Sequence, residues 1–503
     1  MAREEEIVKE RFKKIEEFRK SGINPYPHNY DKKDNAGSLQ EEYKKLKNEK
    51  FGKKTKVAGR IMAVRSFGKL VFMKLVDGSG KIQLVFIPKK GNKKMEDRVK
   101  DIAKVVDVGD IIGAEGKIFR TRRGELSVMV EEIKMLSKSI KPLPEKWHGL
   151  KDKEERYRKR YLDLIMNPEV KEVFDKREKI MEHIRFFLKK KGFSEVETPY
   201  LSTIYGGALA RPFETHLNAL DIKLYLAVSP ELYLKRLIVG GYEKVFTISR
   251  NFRNEGIDRW HNPEFTMMEI YQAYADYNEM MNLFEELYEH VARKVNGTTK
   301  VKFRGKNIDF KRPWKRMTMA QAIKTYGKID IEKMSEKEVL DYAKKNKIEL
   351  KEETWGWAVQ ALFEHFCEDK IENPTFILDH PLETTPLCKV HRDGSKFCEL
   401  IERFEPFCMG TELGNAYSEL NDPIMQRQLL EEQSRLLEKG NKEANPLDED
   451  FINAIETGMP PTGGIGLGID RMVMLLAGQD SIRDVILFPF MKEINKDVKG
   501  GKK

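Results

Sequence analysis

The stretch Arg253-Asn254-Glu255-Gly256-Ile257-Asp258-Arg259-Trp260-His261-Asn262-Pro263-Glu264-Phe265, continuing to Glu269 and Tyr271, carries most of the information in this chain. It sets an arginine, several carboxylates, a histidine and an aromatic ring into one strand–loop–strand unit. The two-residue period of a strand puts Phe265, Glu269 and Tyr271 on one face. Two more dense segments lie downstream. One runs Glu405-Pro-Phe-Cys-Met-Gly-Thr-Glu412-Leu-Gly-Asn415-Ala-Tyr417-Ser-Glu419; the other is Gly463-Gly-Ile-Gly-Leu-Gly-Ile-Asp470-Arg471. Together these residue types point to a site that holds a polyanion, a divalent metal and a small cation at once.

Arg253 and Arg471 are the candidates for phosphate and carboxylate contact, because a guanidinium makes planar, bidentate hydrogen bonds to both groups. Glu405 and Glu412 flank the tight Cys408-Met409-Gly410 turn. In an antiparallel hairpin they are neighbours or diagonal neighbours on one face. Two adjacent carboxylates need a counter-cation, and Mg²⁺ binds through one or two carboxylates plus substrate phosphates; a solvated pair on an edge hairpin is the alternative. Asn415, Tyr417 and Glu419 share a face with which Glu412 is out of phase. That phase error predicts a bulge or bend at Gly414. Glu231 opens a helix after the strand Leu224–Val228, where helix capping would account for it. Paired with Glu419 it suggests instead a ligand with two amino groups.

The chain has 503 residues, 40 % hydrophobic and 34 % charged, with a formal net charge of +11. That balance describes globular domains and favours a polyanionic partner. No run is apolar and long enough to span a bilayer, and the charged N-terminus lacks the apolar core of a signal peptide, so a cytoplasmic protein without membrane association is expected. None of the four cysteines forms a CxxC pair, which argues against zinc and for reduced thiols. No GxxxxGK[ST] phosphate loop is present. Gly464-Ile-Gly466-Leu-Gly468 follows Pro460-Pro461 rather than a strand opening a βαβ unit, so a dinucleotide fold is not expected.

The pattern divides the chain. Residues 1–50 read as a helical extension and 51–143 as short strands, with a hairpin signal at Asp77-Gly78-Ser79-Gly80 and a helix near 93–105. Five strands with one helix after the third is the order of an OB-fold barrel. Arg65, Phe67, Phe72 and Arg122-Arg123 fit the stacking and basic contacts by which such barrels bind single strands. Residues 144–166 read as a linker. From 167 to 503 the pattern is mixed α and β, with a helical insertion expected within about 276–395.

At these residues the chain resembles the class II lysyl-tRNA synthetases. Asn167-Pro168 through Pro199 is similar to the first class II motif, Phe252 to Glu269 to the second, and Gly463 to Arg471 to the third. The lysine-type features are narrower: Gly206-Gly207-Ala208-Leu-Ala-Arg211, Pro230-Glu231-Leu-Tyr-Leu-Lys-Arg, and Asn415-Ala-Tyr417-Ser-Glu419-Leu-Asn-Asp. Thr247, Ser249 and Trp260 depart from the family pattern in and near the second motif.

The resemblance implies an α+β architecture: a five-stranded OB-fold barrel followed by a catalytic domain built on an antiparallel sheet flanked by helices. It implies activation of L-lysine by ATP and transfer to lysine tRNA, by a homodimer joined through the first motif. Arg253 would grip the α-phosphate and the lysine carboxylate, Phe265 would stack on adenine, and Glu255 and His261 would line the ATP site. Arg471 would hold the γ-phosphate, and Glu405 and Glu412 would carry Mg²⁺. Gly207 and Glu231 would receive the α-amine, Glu419 and Tyr271 the ε-ammonium, with Glu269, Asn415 and Tyr417 completing the pocket. In the barrel, Phe72, Gln83 and Glu125 would meet a U-rich anticodon. Selection for lysine would follow from charge, since a buried Glu419 left without an ammonium costs about 3–5 kcal/mol. Aspartyl- and asparaginyl-type enzymes share the layout, but their substrates call for a cationic or amide partner, which Glu231 and Glu419 do not supply. A ligase that adds lysine to a protein would lack the barrel. An RNA-binding module with a dead catalytic domain would not retain Arg253, Arg471, Glu405 and Glu412.

Overall fold

A computed structural model describes residues 2–67, 70–87, 105–144, 150, 152–393 and 399–493. The chain divides into two compact units, Met1–Lys151 and Asp152–Lys503.

In the first unit β1 (Phe51–Phe67), β2 (Leu70–Asp77), β3 (Gly80–Phe86), β4 (Ile111–Arg120) and β5 (Leu126–Ser137) close into a barrel of order β1-β2-β3-β5-β4. Only the β3–β5 pair is parallel. This is the expected OB arrangement. The strands alternate as a barrel requires, with Val71, Met73 and Leu75 filling the interior. Of the helix expected near 93–105, residues 93–104 lie outside the described residues. The helix Ala2–Lys20 is held by Arg11, whose Nη1 and Nη2 donate to the carbonyls of Ser139 and Val108 at 3.1 and 2.9 Å. The second helix is Ala36–Glu42.

The second unit begins earlier than the sequence pattern places it. Residues 153–166, expected as linker, form two short helices. The buried Arg160 donates to the carbonyls of Arg483 and Leu487 and pairs with Asp163. A run of charges reads as linker, but here one guanidinium caps carbonyls more than 300 residues away in sequence.

The long helix Pro168–Lys190 leads into β6 (Ser194–Glu195). A small sheet follows, made of β7 (Leu201–Ser202), β8 (Glu214–Leu217) and β9 (Ile222–Leu226). Next come β10 (Lys244–Phe252) and β11 (Glu264–Ala273), the hairpin β12 (Lys300–Phe303) and β13 (Lys306–Asp309), and then β14 (Lys315–Thr318) and β15 (Thr375–Pro381). The last group is β16 (Leu400–Cys408), β17 (Thr411–Glu412), β18 (Gly414–Ser418) and β19 (Thr462–Gly468). The main sheet runs β14-β15-β16-β18-β19-β11-β10-β6, with β17 added to β16. It is antiparallel except at its two edges, where β14–β15 and β10–β6 are parallel.

The helical insertion expected within about 276–395 is therefore only partly an insertion. Its β14 and β15 complete the sheet, and its first helix, Tyr277–Asn296, underlies it. That helix starts at a capping box, Asp276 with Glu279, and stops at Gly297, which takes the left-handed conformation. Met280, Phe284, Leu287, Tyr288 and Val291 recur at helical spacing and are buried against the sheet. Phe284 meets Trp314, Phe376 and Phe404 edge-on at 5.8–6.4 Å, so these rings seal one face of the sheet. Each such ring contributes about 1.5–3 kcal/mol by burial. The other face of the central strands is left for the site.

Candidate active site

The floor of the site is a stripe of glycines. In β19, Gly464 pairs with Tyr271 of β11 on one side and Tyr417 of β18 on the other; Gly466 likewise lies between Glu269 and Asn415. Side chains rise from both neighbouring strands and none from the strand between, which opens a trough. A methyl group on Gly464 would lie 2.0 Å from Glu419 Oε1 and 2.6 Å from Tyr271 Cε1. Only glycine permits that approach. The trough widens into a cavity of about 440 Å³. All the residues expected at the catalytic site line it: Gly207, Glu231, Arg253, Glu255, His261, Phe265, Glu269, Tyr271, Glu405, Glu412, Asn415, Tyr417, Glu419 and Arg471.

Its two ends differ in charge. At one end the Arg253 guanidinium lies over the Phe265 ring, 5.2 Å from its centroid, leaving a cation and a flat ring side by side. Arg471 Nη1 donates to the Glu412 carbonyl at 2.6 Å and approaches Glu412 Oε2 at 3.3 Å. His261 Nδ1 lies 2.8 Å from Asp258 Oδ2 and its Nε2 lies 3.2 Å from Arg471 Nη2. A neutral ring that donates from Nδ1 to the carboxylate accepts at Nε2 from the guanidinium. Trp260 lines this end too, and Arg304 of the β12–β13 turn stacks 4.6 Å from its ring centre. The departure from the family pattern at Trp260 thus ties the loop of the second motif to that hairpin.

Glu405 and Glu412 are diagonal neighbours, because Phe407 pairs with Glu412. Leu413 N–H bonds Pro406 at 2.8 Å, whereas Phe404 already pairs with Ala416. Two residues, Gly414 and Asn415, thus stand opposite the single Glu405. The expected bulge is there, and it turns both Glu412 and the Asn415–Glu419 set toward the cavity. Burial and the Glu405 charge push the Glu412 carboxyl up. Arg403, which sequence reasoning passed over, bonds Glu405 through Nη2 and donates from Nε to Asn415 Oδ1 at 3.0 Å. It shares the face of Glu405 by the two-residue period, and that period was the signal available. Glu368 also lines the cavity. Burial and the neighbouring carboxylates Glu364, Glu412 and Glu405 push it to about 7. It comes from a short 3₁₀ turn, Glu368–Lys370, with no motif to mark it. Among the described residues no group of three or more His, Cys, Asp or Glu is arranged to hold a metal. Glu405 and Glu412 still fit Mg²⁺, which needs only one or two carboxylates when substrate phosphates supply the rest.

The other end is acidic and closed. Glu231, Glu269 and Glu419 are all buried, Glu419 with 1 % exposure. Ser229 Oγ donates to Glu269 Oε1 at 2.6 Å and Tyr271 OH to Oε2 at 3.1 Å. Lys235, also fully buried, lies one helical turn after Glu231. Its Nζ is 2.6 Å from Glu231 Oε1 and 2.5 Å from Glu419 Oε2. Among the described residues neither Glu419 oxygen accepts a hydrogen bond of ordinary geometry; Oε2 has the close Lys235 ion pair and Oε1 has no partner. Burial, with the charge of Glu231, pushes Glu269 and Glu419 to about 8. Gly207, at φ +85°, lets the chain pass this wall: a Cβ there would meet Ser229 Oγ at 2.9 Å and Glu231 Cβ at 3.0 Å.

The third motif is locked to the first. Arg177 Nη1, from the helix Pro168–Lys190, pairs with Asp470 Oδ1 at 2.5 Å, and Asp470 Oδ2 accepts from Thr266 N–H at 2.7 Å. On the barrel, Phe72 and the exposed Phe67 meet edge-to-face at 6.1 Å. Gln83 is the diagonal neighbour of Phe72, since Phe72 pairs with Val85; its Nε2 donates to Ser127 Oγ at 2.9 Å. Ser127 Oγ in turn donates to the Glu125 carbonyl at 3.2 Å. Phe72 and Gln83 therefore share one face of the barrel, and Glu125 is linked to them through its backbone carbonyl.

A barrel of this order, and a sheet whose trough is basic at one end and acidic at the other, are the two parts that the class II resemblance implies. The family of tRNA synthetases class II (D, K and N) matches residues 152–492, and the OB-fold nucleic acid binding domain matches residues 55–136. The chain belongs to the class II tRNA synthetases. A protein of Methanoculleus marisnigri named "Lysine--tRNA ligase" is 49 % identical over 481 residues, covering 95 % of this chain and 94 % of its own. Proteins of the same name from Clostridium novyi and Carboxydothermus hydrogenoformans are each 50 % identical, over 492 and 490 residues. Each alignment covers 97 % of this chain, and 94 % and 98 % of the relatives respectively.

Proposed function

We infer that this chain is a lysine–tRNA ligase: it joins L-lysine to AMP at the expense of ATP, releasing pyrophosphate, and passes the lysyl group to the 3′ end of lysine tRNA, releasing AMP. One observation carries the amino-acid choice. Three buried carboxylates, Glu231, Glu269 and Glu419, face one buried ammonium, Lys235, and Glu419 Oε1 has no partner. The formal excess of two negative charges matches the two ammonium groups of lysine. Neutral and acidic amino acids bring only the α-ammonium and leave one of the two charges uncompensated.

In this reading the α-amine lies by Gly207 and Glu231, and the ε-ammonium by Glu419 and Tyr271. The lysine carboxylate is held by Arg253, which also takes the α-phosphate. Adenine stacks on Phe265 beside Glu255 and His261, and Arg471 takes the γ-phosphate. The carboxylate oxygen attacks the α-phosphorus as the bond to pyrophosphate breaks, so no side chain acts as nucleophile. Catalysis comes from alignment and charge neutralisation by Arg253 and Arg471. Glu405 and Glu412 would hold Mg²⁺, which supplies further charge neutralisation on the phosphates. Phe72, Gln83 and Glu125 form the anticodon-reading surface. The exposed Phe186, Tyr200 and Leu201, on or beside the first-motif segment, support a homodimer formed there. A cytoplasmic location goes with these substrates.

Lysine-dependent exchange of pyrophosphate into ATP tests the reading across a panel of amino acids. Lysine drives exchange, and ornithine does so about 10–200-fold less well. Leucine, methionine and aspartate give none. Exchange driven best by any other amino acid overturns it.

A further inference from the structure

Lys235 does not line the cavity, yet both of the carboxylates assigned to the substrate ammonium groups end on it. It projects from the helix Glu231–Val239, is 0 % exposed, and makes a third contact, at 3.4 Å, with the Leu387 carbonyl. Its two partners come from parts of the chain almost 200 residues apart. Glu231 is on its own helix, and Glu419 follows β18 on the far side of the trough. The ammonium is therefore a bolt across the closed end, behind the wall the substrate touches.

We propose that Lys235 is a positioning residue for amino-acid choice: its ammonium ties Glu231 and Glu419 together from behind and so fixes the span between the two sites that receive the ammonium groups of a diamino acid. The proposal rests on the lysine-ligase reading above. Without the bolt, two buried carboxylates repel across the trough. Either they separate or one of them takes up a proton; both outcomes loosen the fit to a chain of one length. With Lys235 in place Glu419 spends Oε2 on the bolt and keeps Oε1 for the ligand. The other charged and titratable groups facing this cluster are Glu269 and Tyr271 of β11, Arg403 of β16, Tyr417 of β18, and Cys388, which bridges to Glu419. Among these only Arg403 is cationic, and it is engaged by Glu405 and Asn415. No other cation of the group stands ready to replace Lys235.

The test is pyrophosphate exchange by the full-length Lys235→Met enzyme with lysine and with ornithine. The expected result is a rise of about tenfold or more in the KM for lysine, with the KM for ATP within about twofold of wild type. The preference for lysine over ornithine, which one methylene sets at about 10–200-fold, falls by about tenfold. That ratio does not depend on the fraction of enzyme folded, so partial destabilisation cannot imitate the result. The pH profile gives a second readout. With the cation gone the carboxylates hold their proton to higher pH, and the KM for lysine recovers only there. An unchanged lysine-to-ornithine ratio with an unchanged pH profile overturns the proposal. Wild-type enzyme with no lysine-dependent exchange overturns instead the reading on which it rests.

Discussion

Glu419 shows how far one residue's chemistry depends on its neighbours. Its carboxyl is pushed to about 8, first by burial and then by Glu231 and Glu269, against the pull of Lys235. Glu269 is raised to about 8 for the same first two reasons. A ligand ammonium binds the ionised form, while the free enzyme below that pH holds a proton that must leave. Affinity for lysine therefore rises with pH, and the KM for lysine falls as the pH rises through about 8, where these two groups ionise. Initial rates of pyrophosphate exchange on either side of that pH check the sign; a flat profile removes the buried carboxylates from the binding site. A cost of about 3–5 kcal/mol applies to an empty Glu419 without any partner. Lys235 already neutralises one oxygen, so in the proposed reading rejection of leucine and methionine comes from the excess charge of the whole cluster rather than from Glu419 alone.

At the scale of elements, the site is assembled by locks between motifs that are far apart in the chain. Arg177 on the first-motif helix reaches Asp470, at the start of the helix Ile469–Ala477, and Asp470 holds the backbone of β11 through Thr266. Asp470 is 3 % exposed at its side chain. Replacing Arg177 by methionine strands a buried carboxylate, which costs about 3–5 kcal/mol. Urea unfolding of Arg177→Met should show a loss of that order. A loss below about 0.5 kcal/mol would mean that apolar packing alone holds the helix to the sheet. The bulge at Gly414–Asn415 is a second device at this scale. It was legible from the phase error between Glu412 and Glu419, because strand period is a local property. Arg403 was equally within reach of that period. Glu368 was not, since a 3₁₀ turn carries no local mark of what it faces, and Lys235 was legible only as the i, i+4 partner of Glu231, not as a partner of Glu419. The run 153–166 misled for a related reason: charge density reads as solvent exposure unless the buried partners are known.

For the whole molecule, the two compact units divide the work. The barrel surface of Phe67, Phe72 and Gln83 belongs to Met1–Lys151, and every residue of the trough to Asp152–Lys503. Phe72→Ala removes one stacking platform, worth about 1–3 kcal/mol, or about 5–150-fold in affinity for single-stranded bases. The KM for lysine tRNA should rise by that factor while lysine-dependent pyrophosphate exchange stays at the wild-type level. Exchange that fell in parallel would show that the substitution acts through the catalytic unit, not through anticodon contact.

The sequence alone determined the properties that depend on neighbours within a few residues. These are the succession of five strands in the barrel, the faces of β11 and β18, the glycine run that makes the trough, and the residue types gathered around a phosphate and a diamine. The tertiary structure decided which of those groups meet. Strand register put Gly464 between Tyr271 and Tyr417, helix placement brought Lys235 to both Glu231 and Glu419, and β14 and β15 turned an apparent insertion into part of the sheet. The division has a physical cause: backbone periodicity is set bond by bond along the chain, whereas the charge on a buried carboxylate depends on partners that only the closed fold brings within a few ångströms.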